Sequence, residues 1–508
     1  MKLAMSAEKN IQKPIYRHAP PRACLMIEAL RGLGYTTSTA LADIIDNSIA
    51  ANADKVDILF SWAGTSSTIA VIDNGEGMDE YELDIAMRLG HKNPLDERGI
   101  NDLGRFGLGL KTASFSQCRR LTVASRKDGV SNCLRWDLDV LANSKDDGWY
   151  LLEGPALGSE SHMTAFGDID GTLVLWENLD RIVTQGFNEQ DFLDLIDQVE
   201  HHLAMVFHRF LSDVRPRLQI NINGRAVESW EPFLTNHPAT WSSPVERIGS
   251  GSRIVEVQCH VLPHKDRLDE RQHILAARSN GWTAQQGFYV YRNQRLLLAG
   301  SWLGLGKGRP WTKEEAYRLA RIRLDISNSA DADWKIDIRK SMARPPVVIR
   351  DKLTHLAEDT RERARRVFAH RGQTIRTVKG ESLVHAWKAE HFNGGIRYRI
   401  DRGHPSVKAV LDDAGALSPQ ILAMLRIIEE TIPVQRIWLD TTEARETPRT
   451  GFAGEPAAEI ASILSVLYSN MVLRKGCSPT LARERLLSTE PFNHHPDLVA
   501  ALPDDPLA

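Results

Sequence analysis

Apolar positions recur at helical spacing in some stretches of the chain and form short strand-like runs in others. Leu41, Ile44, Ile45 and Ile49 lie three or four positions apart, which predicts a helix over ALADIIDNSIAANA. Two strand-like runs follow, KVDILFSW and STIAVIDN, and a helix-like DEYELDIAMRLGH comes after them. The chain therefore opens with a helix followed by two strands, rather than with a strand.

More strand patterns follow in RRLTVASRK, SNCLRWDLDV and GTLVLWENL. The first stretch of the chain thus mixes helices with a largely antiparallel sheet, which predicts an α+β fold and not a Rossmann alternation. Beyond it come an amphipathic helix, FNEQDFLDLIDQVEHHLAMVFHRFL, and four further strand patterns with an Asn-Gly hairpin signal at Asn223 and Gly224. This second part predicts another α/β domain.

Pro345 and Pro346 mark a break before a predicted helix whose second half is rich in basic residues. Beyond that helix, a strand pattern, IRYRIDR, and two helical patterns occur without any chemical motif. The predicted organisation is an amino-terminal arm at 1–20, an α+β domain at 21–185, a second domain at 186–345, a connecting basic helix at 346–372 and an α-rich region of unknown role at 373–508.

Composition narrows the functional classes only slightly. The 508 residues include 63 Lys and Arg against 66 Asp and Glu, so the net charge of −3 gives no overall attraction to nucleic acid. The five cysteines are scattered without a C-x-x-C pair, and no apolar run approaches bilayer length. We therefore expect a soluble, unprocessed cytoplasmic protein without a membrane partner. Two groups of histidines, one on the amphipathic helix and one in a later polar loop, are expected to be solvated: His201, His202, His208, His260, His264 and His273.

Candidate chemistry begins with polar residues inside the apolar helix. Asp43 and Asn47 are an i, i+4 pair, so their side chains share one flank of it. The second strand ends in DNGEGM, whose glycines mark a tight turn. A further glycine-rich stretch, GRFGLGLKTASFS, precedes a helix start, where backbone N–H groups make a good anion cradle.

An acid-x-x-x-Asn helix, then D-x-G-x-G, then G-x-x-G-x-G-x-K, then Gly171 and Thr172 on a strand, occur in this order. The set resembles the ATP site of the GHKL superfamily, which includes gyrase, histidine kinases and MutL. The glycine-lysine motif and the later GFYVYRNQRLL resemble the MORC-type branch and its bacterial relatives, with MutL next nearest. The resemblance implies a Bergerat ATP-binding α/β sandwich, an S5-like transducer domain and a mainly helical C-terminal region.

The resemblance also implies roles for residues of the first helix. Asn47 would bind Mg²⁺, a cation that prefers oxygen ligands. Asp43 would act as the general base for the water that attacks the γ-phosphate. The related families carry Glu at this position, and Asp is shorter by about 1.5 Å, so slow hydrolysis is expected. Relatives usually have Asp where this chain has Ala50, a position taken as structural.

The remaining roles implied by the resemblance concern the nucleotide. Asp73 would accept a hydrogen bond from the adenine amino group, with Thr172 reaching the same base. Gly75 and Gly77 would let the backbone pass the base and sugar; Met78 would pack on the purine or belong to the core. The triphosphate would be wrapped by Gly104, Gly107, Gly109 and Lys111. A lysine of the second domain, Lys335 first and Lys340 second, would reach the γ-phosphate.

The first function that follows is an Mg²⁺-dependent ATPase acting as an ATP-gated dimeric clamp, with residues 79–111 as its lid. By resemblance, its load is DNA and its partner a nuclease or helicase linked to repair or restriction. DNA contact is assigned to a basic segment that includes Arg361, Arg363, Arg365 and Arg366, for which a solvated helix face is the alternative. A second function is a nucleotide-gated scaffold with little hydrolysis. A histidine kinase is disfavoured because fewer than 25 residues precede the ATP-type fold, too few for a phosphoacceptor helix.

Overall fold

A computed structural model describes most of the chain, and every structural statement below concerns the described residues. These are residues 21–90, 109–144, 148–167, 169–212, 216–249, 254–278, 281–327, 331–336, 343–369, 384–392, 395–437, 458–474, 476–489, 492 and 495–505. Contacts divide the chain into two compact units, residues 1–372 and 373–508, and each is described by itself.

The first unit contains an eight-stranded sheet with the spatial order β5-β4-β3-β6-β2-β1-β7-β8. Its strands are β1 (Lys55–Ser61), β2 (Thr68–Asp73), β3 (Arg120–Lys127), β4 (Val130–Asp137), β5 (Leu152–Glu153), β6 (Gly171–Glu177), β7 (Gln219–Ile222) and β8 (Arg225–Ala226). The paired strands are antiparallel except β1 and β7, which run parallel. The predicted α+β fold, with a largely antiparallel sheet, is confirmed.

Helices of the first unit cover these strands and those of a second sheet. They are α1 (Ala23–Arg31), α2 (Thr37–Ala50), α3 (Glu80–Met87), α4 (Gly109–Phe115), α5 (Leu138–Ala142), α6 (Glu160–Phe166), α7 (Glu189–Val206), α8 (His208–Leu211), α9 (Glu270–Ala277), α10 (Gly281–Ala284), α11 (Asp331–Trp334) and α12 (Val347–Ala369). Residues from α1 to α4 and α7 pack with one face of the first sheet in the largest hydrophobic core. In β1 the alternation of Val56, Ile58 and Phe60 supplies that face, because side chains two apart share one side of a strand.

Helix α7 and strand β7 belong to this first core, and β8 extends the same sheet. Phe192 and Leu203 of α7, Ile220 of β7 and Trp230 beyond β8 are all buried in it. The first core thus continues past residue 185, where the sequence predicts the first domain to end. Asn223 and Gly224 of the β7–β8 hairpin both have positive φ, at 47° and 81°, as a tight hairpin turn requires.

A second sheet follows in the same unit, with the order β10-β11-β14-β12-β13 and with β9 paired to β11. Its strands are β9 (Trp241–Ser242), β10 (Glu246–Ile248), β11 (Val255–Val261), β12 (Gly287–Arg292), β13 (Arg295–Ser301) and β14 (Ala320–Ile326). Helix α12 packs on it through Ile349, Leu353 and Ala357, which lie four positions apart on one helical stripe.

The prediction that Arg361 contacts DNA as part of the basic segment of α12 is wrong. It is 6% exposed, and its guanidinium lies 4.8 Å, 4.6 Å and 3.8 Å from the ring centres of Trp302, Trp311 and Tyr317. Such a cation–π cluster holds the arginine inside the fold, so Arg361 is not available to a phosphate backbone. The exposed members of the predicted set are Arg363, Arg365 and Arg366.

The expectation that the clustered histidines are solvated is wrong for His208, His260 and His264, which are all buried. His208 Nε2 is 2.9 Å from the Tyr291 hydroxyl, and His260 Nδ1 is 2.8 Å from Ser242 Oγ. Burial lowers the pKa of His208 to about 3 and that of His260 to about 4. These rings are therefore neutral parts of the structure near neutral pH.

The second unit contains a two-stranded antiparallel ribbon, β15 (Trp387–Phe392) and β16 (Gly395–Ile400). Its α-helices are Pro405–Asp413, Ser418–Glu430, Ala458–Ser469, Pro479–Leu487 and Pro496–Ala500. A small core that includes Leu464, Tyr468 and Leu486 joins several of these helices. The predicted mainly helical C-terminal region is confirmed.

None of the described helices is both long and apolar enough to cross a membrane.

Candidate functional site

Asp73, at the end of β2, lies at the centre of a buried hydrogen-bond cluster. Its Oδ2 accepts from Ser48 Oγ of α2 at 2.7 Å. Its Oδ1 accepts from the backbone N–H groups of Gly75 at 3.0 Å and Thr172 at 3.2 Å. Burial raises the pKa of Asp73, and these three hydrogen bonds oppose the rise because they favour the charged form. The carboxyl group thus connects α2, β2 and β6 at one point.

The glycines beside Asp73 are required by contacts within the protein. A Cβ on Gly77, which has a φ of +66°, would lie 1.9 Å from the Arg126 carbonyl oxygen. A Cβ on Gly75 would lie 2.7 Å from the Ala51 carbonyl oxygen. The sequence prediction gives these glycines to the passage of a base and sugar, whereas their Cβ positions face the protein's own backbone.

Thr172 and Met78 meet at Ser125, a residue of β3. Ser125 Oγ lies 3.0 Å from Thr172 Oγ1 and accepts a hydrogen bond from the Met78 N–H at 2.8 Å. The Met78 side chain is half-buried against the first core. The sequence predictions for Thr172 and Met78 thus fall on residues that the fold brings next to Asp73, through strand pairing of β2 with β6 and of β3 with β6.

Helix α2 carries the acidic and amide residues predicted to act on phosphate. It begins with a capping box in which the Thr36 side chain accepts from the Thr39 N–H. Asp43 and Asp46 are buried, at 7% and 2% exposure, whereas Asn47 is exposed. The Asn47 side chain makes no hydrogen bond to another described residue, so its amide oxygen is accessible to a cation.

The carboxylate of Asp43 is held by two neighbours. The Tyr35 hydroxyl donates to Asp43 Oδ2 at 2.9 Å, and Arg295 Nη2 of β13 lies 3.5 Å from Asp43 Oδ1. Burial, followed by the charge of Asp43, raises the pKa of Tyr35, so the phenol stays protonated as a donor. Arg295 Nε also lies 3.1 Å and 3.0 Å from the two carboxylate oxygens of Asp46.

Lys111 of α4 is buried and donates from Nζ to the Ala86 carbonyl oxygen of α3 at 2.7 Å. In this arrangement its ammonium group joins two helices. Gly109 is the first residue of α4, and an added Cβ there would meet no atom within 4 Å. Gly104 and Gly107 lie outside the described residues, as does most of the predicted lid at 79–111.

Lys335, the first choice for a γ-phosphate contact, follows α11 with a φ of +49° and is exposed. Nothing in the described structure brings it to Asp43 or Asp73. Lys340, the second choice, lies outside the described residues. The choice between these two lysines therefore stays a prediction.

Four participants in the site were missed from the sequence: Tyr35, Ser48, Ser125 and Arg295. Ser48 directly follows Asn47 on the predicted helix, so the sequence could have indicated that it lies near the site. Ser125 and Arg295 come from β3 and β13, and only strand pairing and packing bring them to the helix and to Asp73.

No group of three or more His, Cys, Asp or Glu side chains capable of holding a metal ion occurs within the described residues. A cation bound by the Asn47 amide oxygen would take its other ligands from water and from a bound phosphate group. This is the usual arrangement for Mg²⁺, which keeps several water ligands and takes one or two from the protein. The exposed Asn47 amide fits that role.

Comparisons with known proteins find similarity in this part of the chain. Residues 35–163 match the family described as histidine kinase-, DNA gyrase B-, and HSP90-like ATPase. The DNA mismatch repair protein MutL of Rhodospirillum rubrum is 30% identical over 111 residues, which are 22% of this chain and 17% of that protein. The ATPase morc-1 of Caenorhabditis elegans is 30% identical over 96 residues, 19% of this chain and 11% of that protein. MutL of Rickettsia felis is 26% identical over 99 residues, 19% of this chain and 16% of that protein.

These matches confirm the resemblance predicted from the four motifs, with both MORC-type and MutL relatives. The chain matches less than a fifth of the length of each of these three relatives. The similarity therefore concerns the ATPase domain.

Proposed function

Because residues 35–163 form an ATPase domain of the histidine kinase-, DNA gyrase B- and HSP90-like family, we propose that the protein binds and hydrolyses ATP with Mg²⁺. We propose further that ATP closes two copies into a dimeric clamp on DNA. The Asp73 cluster is the observation that carries the proposal, because it fixes a buried acceptor next to the exposed Asn47 flank of α2.

Asp73 has the hydrogen-bonding capacity that adenine recognition needs. A carboxylate offers about four lone-pair directions, and Ser48, Gly75 and Thr172 use three of them. One remains for the exocyclic amino group of adenine. Guanine presents a carbonyl oxygen at the corresponding position, which a charged carboxylate repels, so the site favours ATP over GTP.

Phosphate chemistry is assigned to the flank of α2 that carries the buried Asp43 and the exposed Asn47. Asn47 would hold Mg²⁺ through its amide oxygen, and the bound ion would neutralise charge on the phosphate oxygens. Asp43 would orient or deprotonate the attacking water, while Tyr35 and Arg295 hold its carboxylate in place. Gly104, Gly107 and Gly109 are proposed to wrap the phosphates, with Lys111 leaving its Ala86 partner to approach them.

The test is steady-state ATP hydrolysis with Mg²⁺, compared between wild type, Asp43→Asn and Asn47→Ala, with ATP binding measured separately. Loss of the base should lower kcat by at least about 100-fold and leave ATP binding intact. Asn47→Ala should weaken ATP binding in the presence of Mg²⁺ and have a smaller effect in its absence. Wild type that fails to bind ATP would contradict the proposal.

The second candidate is a scaffold that ATP switches without turnover. It is favoured by the short side chain at position 43, whose two oxygens already face Tyr35 and Arg295. Under this alternative, wild type binds ATP and dimerises but turns over no faster than Asp43→Asn. Light scattering with ATP, with ADP and without nucleotide measures the dimer in either case.

DNA as the load of the clamp is supported by two observations. The matched relatives are named as mismatch repair proteins and a morc-1 ATPase. In this chain, Arg363, Arg365 and Arg366 are exposed on α12, and Arg363 lies 4.5 Å from the ring centre of the partly exposed Trp241. A nuclease or helicase partner remains a proposal from the family resemblance.

A further inference from the structure

Arg295 leaves the second sheet and ends against the helix of the ATP site. It is 4% exposed, and its Nε lies within 3.1 Å of both oxygens of Asp46. Its Nη2 lies 3.5 Å from Asp43 Oδ1, and its Nη1 donates to the Leu296 carbonyl oxygen at 2.8 Å. All three nitrogens of the guanidinium therefore have partners, two of them on α2 and one on β13 itself.

Because the contact is buried, it is stable only when Arg295 and the two carboxylates keep their relative positions. Arg295, Asp43 and Asp46 are all less than a tenth exposed, so neither charge can turn to water if the geometry changes. An ion pair in a low-dielectric interior is stable only with good geometry, and breaking it by removing one partner is costly. The planar guanidinium fork adds a directional requirement that a lysine ammonium does not have. The relative position of β13 and α2 is fixed accordingly.

The contacted residues lie at the chemically relevant part of α2. Asp43 and Asp46 are three positions apart and share one face of the helix, and Asn47 follows directly. Ser48, two positions after Asp46, donates to Asp73. A displacement of β13 would thus act, through one rigid helix, on the candidate base and on the candidate adenine acceptor.

We propose that Arg295 is a positioning residue that sets the Asp43 carboxylate for hydrolysis and couples the β12–β13 hairpin to occupancy of the ATP site. The proposal rests on the proposed function and adds to it the route by which the second sheet regulates the site. Arg295 touches neither nucleotide nor water in this role. It acts through Asp43 and Asp46.

The chain offers a matched control in Arg209. This arginine of α8 also joins the helical layer to the second sheet, with Nη1 and Nη2 at 2.5 Å and 3.3 Å from the carboxylate oxygens of Asp325 on β14. Its guanidinium lies 3.5 Å from the ring centre of Tyr291. Replacing it removes an ion pair to the same sheet that is less buried than the Arg295 contacts, on residues outside the site described above.

The experiment compares wild type with Arg295→Met, Arg295→Lys and Arg209→Met. For Arg295→Met we expect kcat to fall at least about tenfold, since small misplacements of a reacting group are costly, with the ATP Kd changed less than about twofold. Arg295→Lys should recover part of kcat by restoring the charge. Arg209→Met should lower Tm and keep the wild-type kcat.

A second readout does not depend on hydrolysis. Hydrogen exchange of Gly287–Ser301 is measured with and without ATP and Mg²⁺ in each variant. ATP should protect this hairpin in wild type and in Arg209→Met, and the protection should be lost in Arg295→Met. If Arg295→Met fails to fold, Arg295→Met combined with Asp46→Asn takes its place, because it removes both charges of the Arg295–Asp46 pair.

Equal kcat and equal ATP-dependent protection in wild type and the folded Arg295 variant would overturn the inference. Wild type that binds ATP without turnover would contradict the hydrolysis part of the proposed function, and the exchange comparison would then decide the inference. Wild type that does not bind ATP would overturn both.

Discussion

At the scale of single residues, the Asp73 carboxyl group both stabilises the local fold and is proposed to recognise the ligand. Its three donors come from a helix side chain and from two backbone N–H groups, one in the glycine turn and one at the start of β6. These bonds hold the local fold together, and they also orient the remaining lone pair. A change at this residue therefore acts on stability and on ligand choice together, and the two effects must be measured separately.

We predict that Asp73→Asn weakens ATP binding at least about tenfold and reduces the preference for ATP over GTP. An asparagine amide has a single acceptor oxygen, and its NH₂ group would face N–H donors of the protein. Binding is measured by calorimetry with both nucleotides. Asp57→Asn is the control, because Asp57 lies on the neighbouring β1 and contacts Lys55 and Asn221. Unchanged ATP affinity in a folded Asp73→Asn protein would contradict adenine recognition by this residue.

The site residues that could not be predicted from the sequence are the ones placed there by packing. Tyr35 and Arg295 reach Asp43 by packing, and no spacing in the chain announces either contact. Asp43, Asn47 and Asp73 were identified because local motifs contain them. Their contacts depend on residues far away in sequence, such as Thr172, and the sequence named Thr172 only through the family resemblance.

At the scale of elements, the turn after β2 decides how closely three backbones approach. Gly77 faces Arg126 of β3, and Gly171 at the start of β6 faces Asp73, where an added Cβ would lie 2.1 Å from the carbonyl oxygen. The glycines of the D-x-G-x-G motif are thus needed for close packing at this edge of the sheet, and the motif is also typical of an ATP site. The glycines permit the geometry in which Asp73 receives its donors.

We predict that Gly77→Ala lowers the free energy of unfolding by at least about 3 kcal/mol, since it combines a positive φ with a clash against backbone. Gly129→Ala is the matched control. Gly129 also has a positive φ, of 81°, but no atom within 4 Å of its Cβ position, so only about 1 kcal/mol is expected. Urea unfolding measures both, and equal losses in the two variants would refute the packing argument.

At the scale of the whole first unit, two sheets share the helical layer that contains α7 and α8. His208 pairs with Tyr291 of the second sheet, and Arg209 pairs with Asp325 there. A buried neutral histidine and a paired arginine thus lie where the second sheet meets α8. Buried histidines make the stability of the unit depend on pH, and buried ion pairs connect its helices to the second sheet.

The buried His260 is predicted to make stability fall in mild acid. Its pKa is about 4 when folded and about 6.5 when unfolded, so between these values only the unfolded chain binds the proton. The stability is fully present above pH of about 6.5 and is lost as pH falls toward the folded pKa. His260→Gln should therefore lose about 1 kcal/mol less than wild type between pH of about 7.5 and 5.5.

Urea unfolding at the two pH values measures this difference. His355→Gln, at an exposed position of α12, should show the wild-type pH dependence. The prediction fails if His260→Gln and wild type lose the same free energy over this range.

DNA binding belongs to the same scale, because it depends on several exposed charges together. We predict that replacing Arg363, Arg365 and Arg366 by Ala weakens duplex DNA binding and reduces the salt dependence by about 3 units of slope. The control replaces three exposed arginines elsewhere: Arg217, Arg225 and Arg271. Fluorescence anisotropy at several salt concentrations measures the slope. An equal loss in both triple variants would show a general charge effect rather than a binding face on α12.

The sequence by itself determined what depends on local spacing. The helix at Thr37–Ala50, most of the strand positions, the hairpin at Asn223 and the motif glycines follow from periodicity and turn chemistry. Tertiary structure decided which elements share a core and which charges are buried. It placed β7 and β8 in the first sheet, buried Arg361 among aromatic rings and brought Arg295 to Asp43 and Asp46. The physical reason is that burial and ion pairing depend on residues tens to hundreds of positions apart, whereas helix and turn signals depend on neighbours along the chain.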